Sequence, residues 1–460
     1  MSEKRLIEEY LPVAAVSLES TREKLLRRRD FHISMLHLWW ARRPLAASRA
    51  AVYAALVHAP DQIDAEKLAA TFKQLCTWPV SESAIGRARA EILSANAGVP
   101  PKVFDMFAGG GAIPLEATRL GCEATALELN PVAHLIELCT LRYPQEFGPA
   151  LAADVRRWGG SLIERAKTEI GDLYPEFVES DNAQTTLDGV TKSSGRTPIA
   201  YLWTRTVPCP NPAERPHTVP LVRQTWLVKR KGRYVALRVV PDRKRMELSY
   251  EVVSASTQLG LGFDPEKTAG GGGASCPLCG AAVSAEYARM IGRDGRYEYE
   301  LMAAGLLPPT GRGKTYLGSR EARSLLPDAT RLDQVQRVAA EAGIDAPRDA
   351  IPPTGNAGLS TGKVFLYGMR EFADLFTKRQ LSMLLTLCKL ARETHSEMIA
   401  VGVDAERAKA IATYLGLLID RMDGNEEIFA KLMNDDKFRD VAARHLLRQV
   451  YDQIRSAKPN

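Results

Sequence analysis

The segment Val103-Phe-Asp-Met-Phe-Ala-Gly-Gly-Gly-Ala-Ile-Pro-Leu-Glu116 constrains this 460-residue chain more than any other. Val103 to Phe107 is a short apolar run that reads as a strand, delivering Asp105 and Phe107 to its C-terminal end. Ala108 then leads into Gly109, Gly110 and Gly111, where the backbone can turn tightly and approach a ligand that a Cβ would strike. A helix follows, and its first N–H groups are free to face an anionic group. Ala124 to Leu129 reads as a second strand that brings Glu128 to its end, where a carboxylate can accept both hydroxyls of a ribose. Asn130 precedes Pro131, which opens another helix running through Ile136 to Leu141. The order strand, helix, strand, helix argues for a parallel α/β sheet.

Spacing separates this turn from its common relatives. The third glycine arrives at once, unlike the G-x-G-x-x-G of nicotinamide enzymes, and no Lys-Ser/Thr follows to make a phosphate loop. Asp-x-Phe-x-Gly-Gly-Gly with a ribose acid after the next strand is the form of an S-adenosylmethionine site. Its candidate lining is Asp105, Phe107, Ala108, Gly109, Gly110, Gly111, Glu128 and Asn130. A second glycine motif, Gly311-Arg-Gly-Lys-Thr315, is not a Walker loop, because Pro308 stands where the first glycine belongs.

Around the turn the text changes character several times. Residues 1–100 read as helical, with Pro44 opening a helix whose apolar face is Leu45, Ser48, Val52, Ala55 and Leu56. Residues 101–197 hold the glycine turn and end in a polar linker from Asp181 to Arg196. Residues 198–330 are rich in Tyr, Trp and Val from Ile199 to Val253, pass through the loop Gly270–Gly273, and return to β-like text near Tyr297 to Leu317. Residues 331–460 are helical from about Glu371. The expected architecture is α/β: a partial Rossmann-like methyltransferase sheet, an N-terminal helical segment, an inserted β-rich zinc-ribbon-like region and a helical C-terminal part.

Cys276-Pro-Leu-Cys279-Gly280 places two thiolates on one tight bend, the half-site of a zinc knuckle. Val207-Pro-Cys209-Pro-Asn-Pro-Ala-Glu214-Arg-Pro-His217 supplies a third cysteine, with Glu214 or His217 as the fourth ligand. Pro208-Cys209 also has the form of a cytosine-methylating nucleophile, but no Glu-Asn-Val segment accompanies it. Cys122, Cys139 and Cys388 sit in apolar contexts and read as core.

Net charge is +6, and its distribution matters more than its size. Arg22 to Arg49 holds eight Lys/Arg against two acids, and Arg223 to Arg245 holds nine against one. Such clusters suit phosphate contacts, and Arg42, Arg43 and Arg49 are the candidates nearest the turn. No apolar run approaches the roughly 20 residues that cross a bilayer. A charged N-terminus without a signal-peptide core reads as cytoplasmic.

Four segments together resemble one family. They are Leu11-Pro-Val-Ala-Ala-Val-Ser with Leu36-His-Leu-Trp-Trp-Ala-Arg-Arg-Pro-Leu-Ala-Ala-Ser-Arg49, the glycine turn with Glu128-Leu-Asn-Pro131, Pro198-Ile-Ala-Tyr-Leu-Trp203 with Cys209, Cys276 and Cys279, and Tyr367-Gly368 with Asp374-Leu-Phe-Thr-Lys-Arg-Gln380. The chain resembles the adenine-specific DNA methylases that contain a zinc ribbon and are found near phage-defence genes. The resemblance implies S-adenosylmethionine as methyl donor, zinc in the ribbon and DNA as partner. It runs to about Arg421, and the text from about Gly424 departs from it.

Two departures matter. The ribbon's second cysteine is replaced near Glu214. The family's Asp/Asn-Pro-Pro-Tyr/Phe tetrapeptide, which holds a flipped adenine, is absent, since none of Pro100-Pro101, Pro308-Pro309 and Pro352-Pro353 has the required neighbours. The leading expectation is therefore the donor-binding portion of a DNA adenine-N6 methyltransferase, inactive alone. The alternative is a non-catalytic DNA-binding subunit or degenerate fragment, completed by a second polypeptide that carries the tetrapeptide.

Overall fold

A computed structural model of the chain describes residues 4–26, 32–37, 39, 41–178, 184–185, 191–192, 195–266, 274–307, 314–351 and 368–426. Trp40, the Gly270–Gly273 loop, the glycines at 311 and 313, most of the 181–196 linker and the tail from 427 lie outside the described residues. The described chain divides into two compact units, residues 4–163 with 390–422 and residues 164–389. The first unit thus takes in the whole segment expected at 1–100, the glycine turn and the last helix.

After a short helical turn (Leu6–Glu9), unit one continues with helices α1 (Val13–Leu26), α2 (Leu45–Leu56), α3 (Ala65–Cys76) and α4 (Glu82–Ala95). Pro44 is the N-cap of α2, as its fixed φ favours, but it supplies no side-chain acceptor for the first N–H groups. Those donors are met by Glu23 of α1, whose carboxylate accepts from Leu45 N at 3.0 Å and Ala46 N at 2.9 Å. Burial pushes the Glu23 carboxyl up, but hydrogen bonds from His32, Ala46 and Leu45 outweigh it and hold it low. His32 Nε2 lies 3.1 Å from Glu23 Oε1, and both side chains are fully buried. The expected apolar face of α2 is largely inside, with Leu45, Ser48 and Val52 buried, whereas Ala55 is exposed. Its small residues Ala46, Ala50 and Ala54 let neighbouring helices approach, and they share a core with Val16, Phe72, Ile85, Ala117 and Leu120.

Strands β1 (Lys102–Asp105) and β2 (Glu123–Ala126) pair in parallel, with Lys102 opposite Glu123 and Asp105 opposite Ala126. Helix α5 (Ala112–Arg119) crosses between them and ends at Gly121, which takes φ +82°. The strands expected to reach Phe107 and Leu129 therefore stop earlier, because the chain leaves the ladder to form the turn. Among the described residues no third strand joins this pair. Parallel strands are normally covered on both faces, yet Phe104, Met106 and Leu127 are more than half exposed. Helix α6 (Pro131–Glu137) follows, then one π-helical turn (Leu138–Arg142) and α7 (Ala150–Ile170).

One ion pair fastens the helical segment to the βαβ segment. Arg49 of α2 donates from Nε to Glu116 Oε2 at 2.5 Å and from Nη2 to Oε1 at 3.1 Å, with neither side chain exposed. Its Nη1 donates to the Leu75 carbonyl of α3 at 2.6 Å. Arg49, a candidate nucleic-acid contact on sequence grounds, is corrected to a buried clamp, since its charge is met by Glu116 and none of it reaches solvent.

Unit two is β-rich, as the sequence text suggested. Strands β3 (Thr197–Pro208), β4 (Thr218–Pro220), β10 (Glu298–Leu307) and β11 (Thr315–Gly318) form a sheet in the order β11-β10-β3-β4. Strands β5 (Trp226–Arg230), β6 (Arg233–Asp242) and β7 (Glu247–Ala255) form an antiparallel meander. A small ribbon pairs β8 (Ala274–Ser275) with β9 (Ala282–Val283), and α8 (Ala285–Arg293) follows. Among the described residues no helix is long and apolar enough to cross a membrane.

Removing one partner from a buried ion pair strands the other charge, which typically costs 3–5 kcal/mol. Arg49→Ala leaves Glu116 only the partly exposed Arg119 at 3.0 Å, and it is expected to lower unfolding free energy toward the low end of that range, about 3 kcal/mol. The double variant Arg49→Met with Glu116→Leu should recover most of it. Urea denaturation followed by circular dichroism checks both, and a double variant no better than the single would contradict the assignment.

Candidate functional site

The glycine turn is built from both ends. Gly109 takes φ +56° and Gly111 φ +73°, left-handed conformations that side chains disfavour. Gly109 N–H donates to Glu128 Oε2 at 2.7 Å, while Leu129 and Asn130 N–H donate to Oε1 at 2.9 and 3.0 Å. The Asn130 and Gly109 N–H groups hold the Glu128 carboxyl below its ordinary range, so it is ionised. Asn130 caps α6 by accepting from Val132 N at 2.9 Å, and Asp105 accepts from Phe107 N at 3.1 Å. Ala108 is buried, and the Phe107 ring stands 87 % exposed on the rim.

The turn is also a close-packing point. A Cβ at Gly109 would lie 2.9 Å from Trp39 Nε1, one at Gly110 would lie 3.1 Å from Arg42 Nη2, and one at Gly111 would lie 3.4 Å from Glu137 Cγ. Trp39 and Arg42 therefore rest directly on the glycines, which joins the two most distinctive stretches of the sequence. Arg42 is corrected from an outward nucleic-acid contact to a largely buried residue against Gly110. Of the three arginines only Arg43 is exposed, and it donates to the Ala41 carbonyl at 3.0 Å.

Sequence reasoning missed Glu137. It is 5 % exposed, and its Oε1 has no hydrogen-bond partner among the described residues. Burial, reinforced by the nearby Glu128 and Asp105 carboxylates, pushes its carboxyl up to about 7. Nothing in its local text distinguishes it from an ordinary charged residue on an amphipathic helix.

The second candidate lies in unit two. Cys209 follows β3, His217 precedes β4, and Cys276 and Cys279 sit on the bend between β8 and β9. Two hairpins thus present two ligands each. The four ligand atoms lie within 4.8 Å of one another, with Cys209 Sγ 3.6 Å from Cys279 Sγ and His217 Nε2 3.2 Å from Cys276 Sγ. Tetrahedral Zn–S and Zn–N bonds of about 2.3 and 2.0 Å require ligand separations near 3.5–3.8 Å, so the cluster can hold a metal ion. His217 Nδ1 is 2.7 Å from the Arg215 carbonyl, which places the proton there and leaves Nε2 bare to coordinate. Gly280 at φ +80° closes the knuckle, and Ala281 N–H draws the Cys279 thiol down to about 7. The fourth ligand left open by the sequence is His217. Glu214 is outside the cluster, and the replaced cysteine leaves no gap. Val207, Val219, Leu278, Val283 and Ile291 pack around the ligands.

The meander β5 to β7 carries basic residues at the turns at both of its ends. Lys231, Arg243, Lys244 and Arg245 are exposed at the meander's turns, and Arg215 donates to the Lys244 carbonyl at 2.7 Å. That bond ties the metal-ligand loop to the basic β6–β7 turn.

Residues 10–76 match a family described as a protein of unknown function (DUF1156). The match spans α1 to α3, including Glu23, Trp39, Arg42 and Arg49, and stops before the glycine turn. No curated protein and no solved structure matches the chain.

Titration of metal-free protein with Co(II) is expected to saturate at one equivalent, with the strong visible bands of tetrahedral thiolate ligation. Cys276→Ser should abolish those bands, and Glu214→Gln should leave them unchanged. Loss of the bands in Glu214→Gln would contradict the ligand set.

Proposed function

We propose that unit one is the methyl-donor site of an S-adenosylmethionine-dependent DNA adenine-N6 methyltransferase. The observation that carries this reading is the Glu128 carboxylate. It is ionised, anchored by three backbone N–H groups, and retains acceptor capacity at Oε2 beside a three-glycine turn at the head of a helix. A ribose diol fits an ionised carboxylate held at a strand end, and the glycines let a nucleoside approach the backbone. Phe107 offers an exposed ring for stacking. Bound S-adenosylmethionine would supply an electrophilic methyl group on a sulfonium. Asp105, Ala108, Gly109, Gly110, Gly111 and Asn130 shape the site around it, while Trp39 and Arg42 pack against Gly109 and Gly110.

DNA is the proposed partner, with zinc as the metal in the Cys209–His217–Cys276–Cys279 cluster. The exposed Arg243, Lys244 and Arg245 of the β6–β7 turn, which Arg215 ties to the metal-ligand loop, support this, because phosphate contacts need clustered Lys and Arg.

A second reading is favoured by the bare sheet. Leu129 is 97 % exposed, and Phe104, Met106 and Leu127 are more than half exposed, so the β1–β2 pair presents apolar surface and, among the described residues, unpaired edges. On this reading the donor-binding half is completed by strands from a second polypeptide that brings the adenine-holding tetrapeptide.

Isothermal titration is expected to show S-adenosylmethionine binding at one site per chain, weakened roughly tenfold or more by Glu128→Gln through loss of charge-assisted bonds to the diol. Absence of binding to the unmodified chain overturns the donor-site reading. Tritiated-methyl transfer to duplex DNA by the chain alone would favour the first reading over the second.

A further inference from the structure

The π-helical turn Leu138–Arg142 is packed against the glycine turn. A Cβ on Gly111 would meet Glu137 Cγ at 3.4 Å, Leu141 Cδ1 at 3.5 Å and Thr140 Oγ1 at 3.7 Å. Single π turns inside helices are costly and recur at functional sites, where they re-aim side chains. The residue immediately before this one is Glu137. It is 95 % buried, since 5 % of it is exposed, and its Oε1 finds no donor among the described residues. Leaving a buried carboxylate oxygen unsatisfied is expensive unless a ligand completes it. The Glu128 and Asp105 carboxylates act on it as like charges, which disfavours an anion beside it and favours a cation.

Resting on the donor-site reading, we propose that Glu137 is a ligand-binding residue that accepts the α-ammonium of the donor's amino-acid moiety, with Asp105 and Glu128 supplying the surrounding negative field. Glu128 then grips the sugar, and Glu137 reads the cationic end. A donor that lacks the amino acid engages only the first of these. The site thereby selects nucleosides that carry an aminoacyl chain over plain nucleosides. The cost of keeping an unpaired acid in the ligand-free fold is the counterpart of that selectivity.

Isothermal titration of the full chain with S-adenosylmethionine, S-adenosylhomocysteine and 5′-methylthioadenosine separates the possibilities, since only the first two carry the ammonium. In Glu137→Gln the first two are expected to weaken about tenfold while methylthioadenosine is unchanged. In Glu128→Gln all three should weaken. Glu137→Met serves as a second variant. It should raise the melting temperature of the ligand-free chain by removing an unpaired buried acid, and it should lose the preference for the aminoacyl ligands. Equal weakening of all three ligands in Glu137→Gln, or no weakening of any, overturns the Glu137 assignment alone. A lowered melting temperature in Glu137→Met with unchanged preference does the same and marks a structural role. Failure of all three ligands to bind the unmodified chain overturns the donor-site reading, and this assignment with it.

Discussion

The buried Arg49–Glu116 pair is the constraint on which the rest of unit one depends. Glu116 is in the helix that starts at the glycine turn, and Arg49 is in the helix that Pro44 and Glu23 start. Two long charged side chains leave water only when their geometry is nearly ideal, so the pair fixes how the two helices meet. It does so more by specificity than by net energy, because an apolar pair of the same volume would also fill the space. With α2 fixed in this way, the preceding residues Trp39 and Arg42 lie against Gly109 and Gly110. The glycines are thus required twice: by the backbone's left-handed turn and by the side chains pressed against it.

This packing gives a physical role to the helical segment matched by the family of unknown function. Its buried acid Glu23 caps α2, its His32 meets that acid, and its Arg49 grips α5. A segment built this way is a brace for the turn, with Glu23, His32, Arg42 and Arg49 spent inside. The contrast with the exposed apolar end of β1 and β2 is sharp. Unit one invests buried charge in supporting the turn, while among the described residues no strand covers the edges of the β1–β2 pair.

Much of this was legible before the structure. The strand–turn–helix–strand–helix order around Gly109–Gly111 and Glu128 follows from glycine's conformational freedom and from short apolar runs, and the structure reproduces it with shorter strands. The knuckle at Cys276 and Cys279 was legible from spacing, and Cys209 and His217 from a proline-bounded loop. Choosing His217 over Glu214 needed three dimensions, since both lie in one short loop. The arginines misled because a positive charge in sequence gives no sign of burial. Arg49 reads like a phosphate contact until Glu116, far along the chain, is seen beside it. Glu137 was invisible for the same reason: its environment comes from β1, β2 and the glycine turn, not from its neighbours in α6.

The central claim is that a nucleoside methyl donor seats on the three glycines with its sugar on Glu128. The most direct test is a crystal structure of the chain grown with S-adenosylhomocysteine. Density for the nucleoside is expected over Gly109–Gly111, with both ribose hydroxyls within hydrogen-bond distance of the Glu128 carboxylate. Density placed elsewhere, or a turn closed over by Phe107 and Trp39 with no room for the sugar, would contradict it.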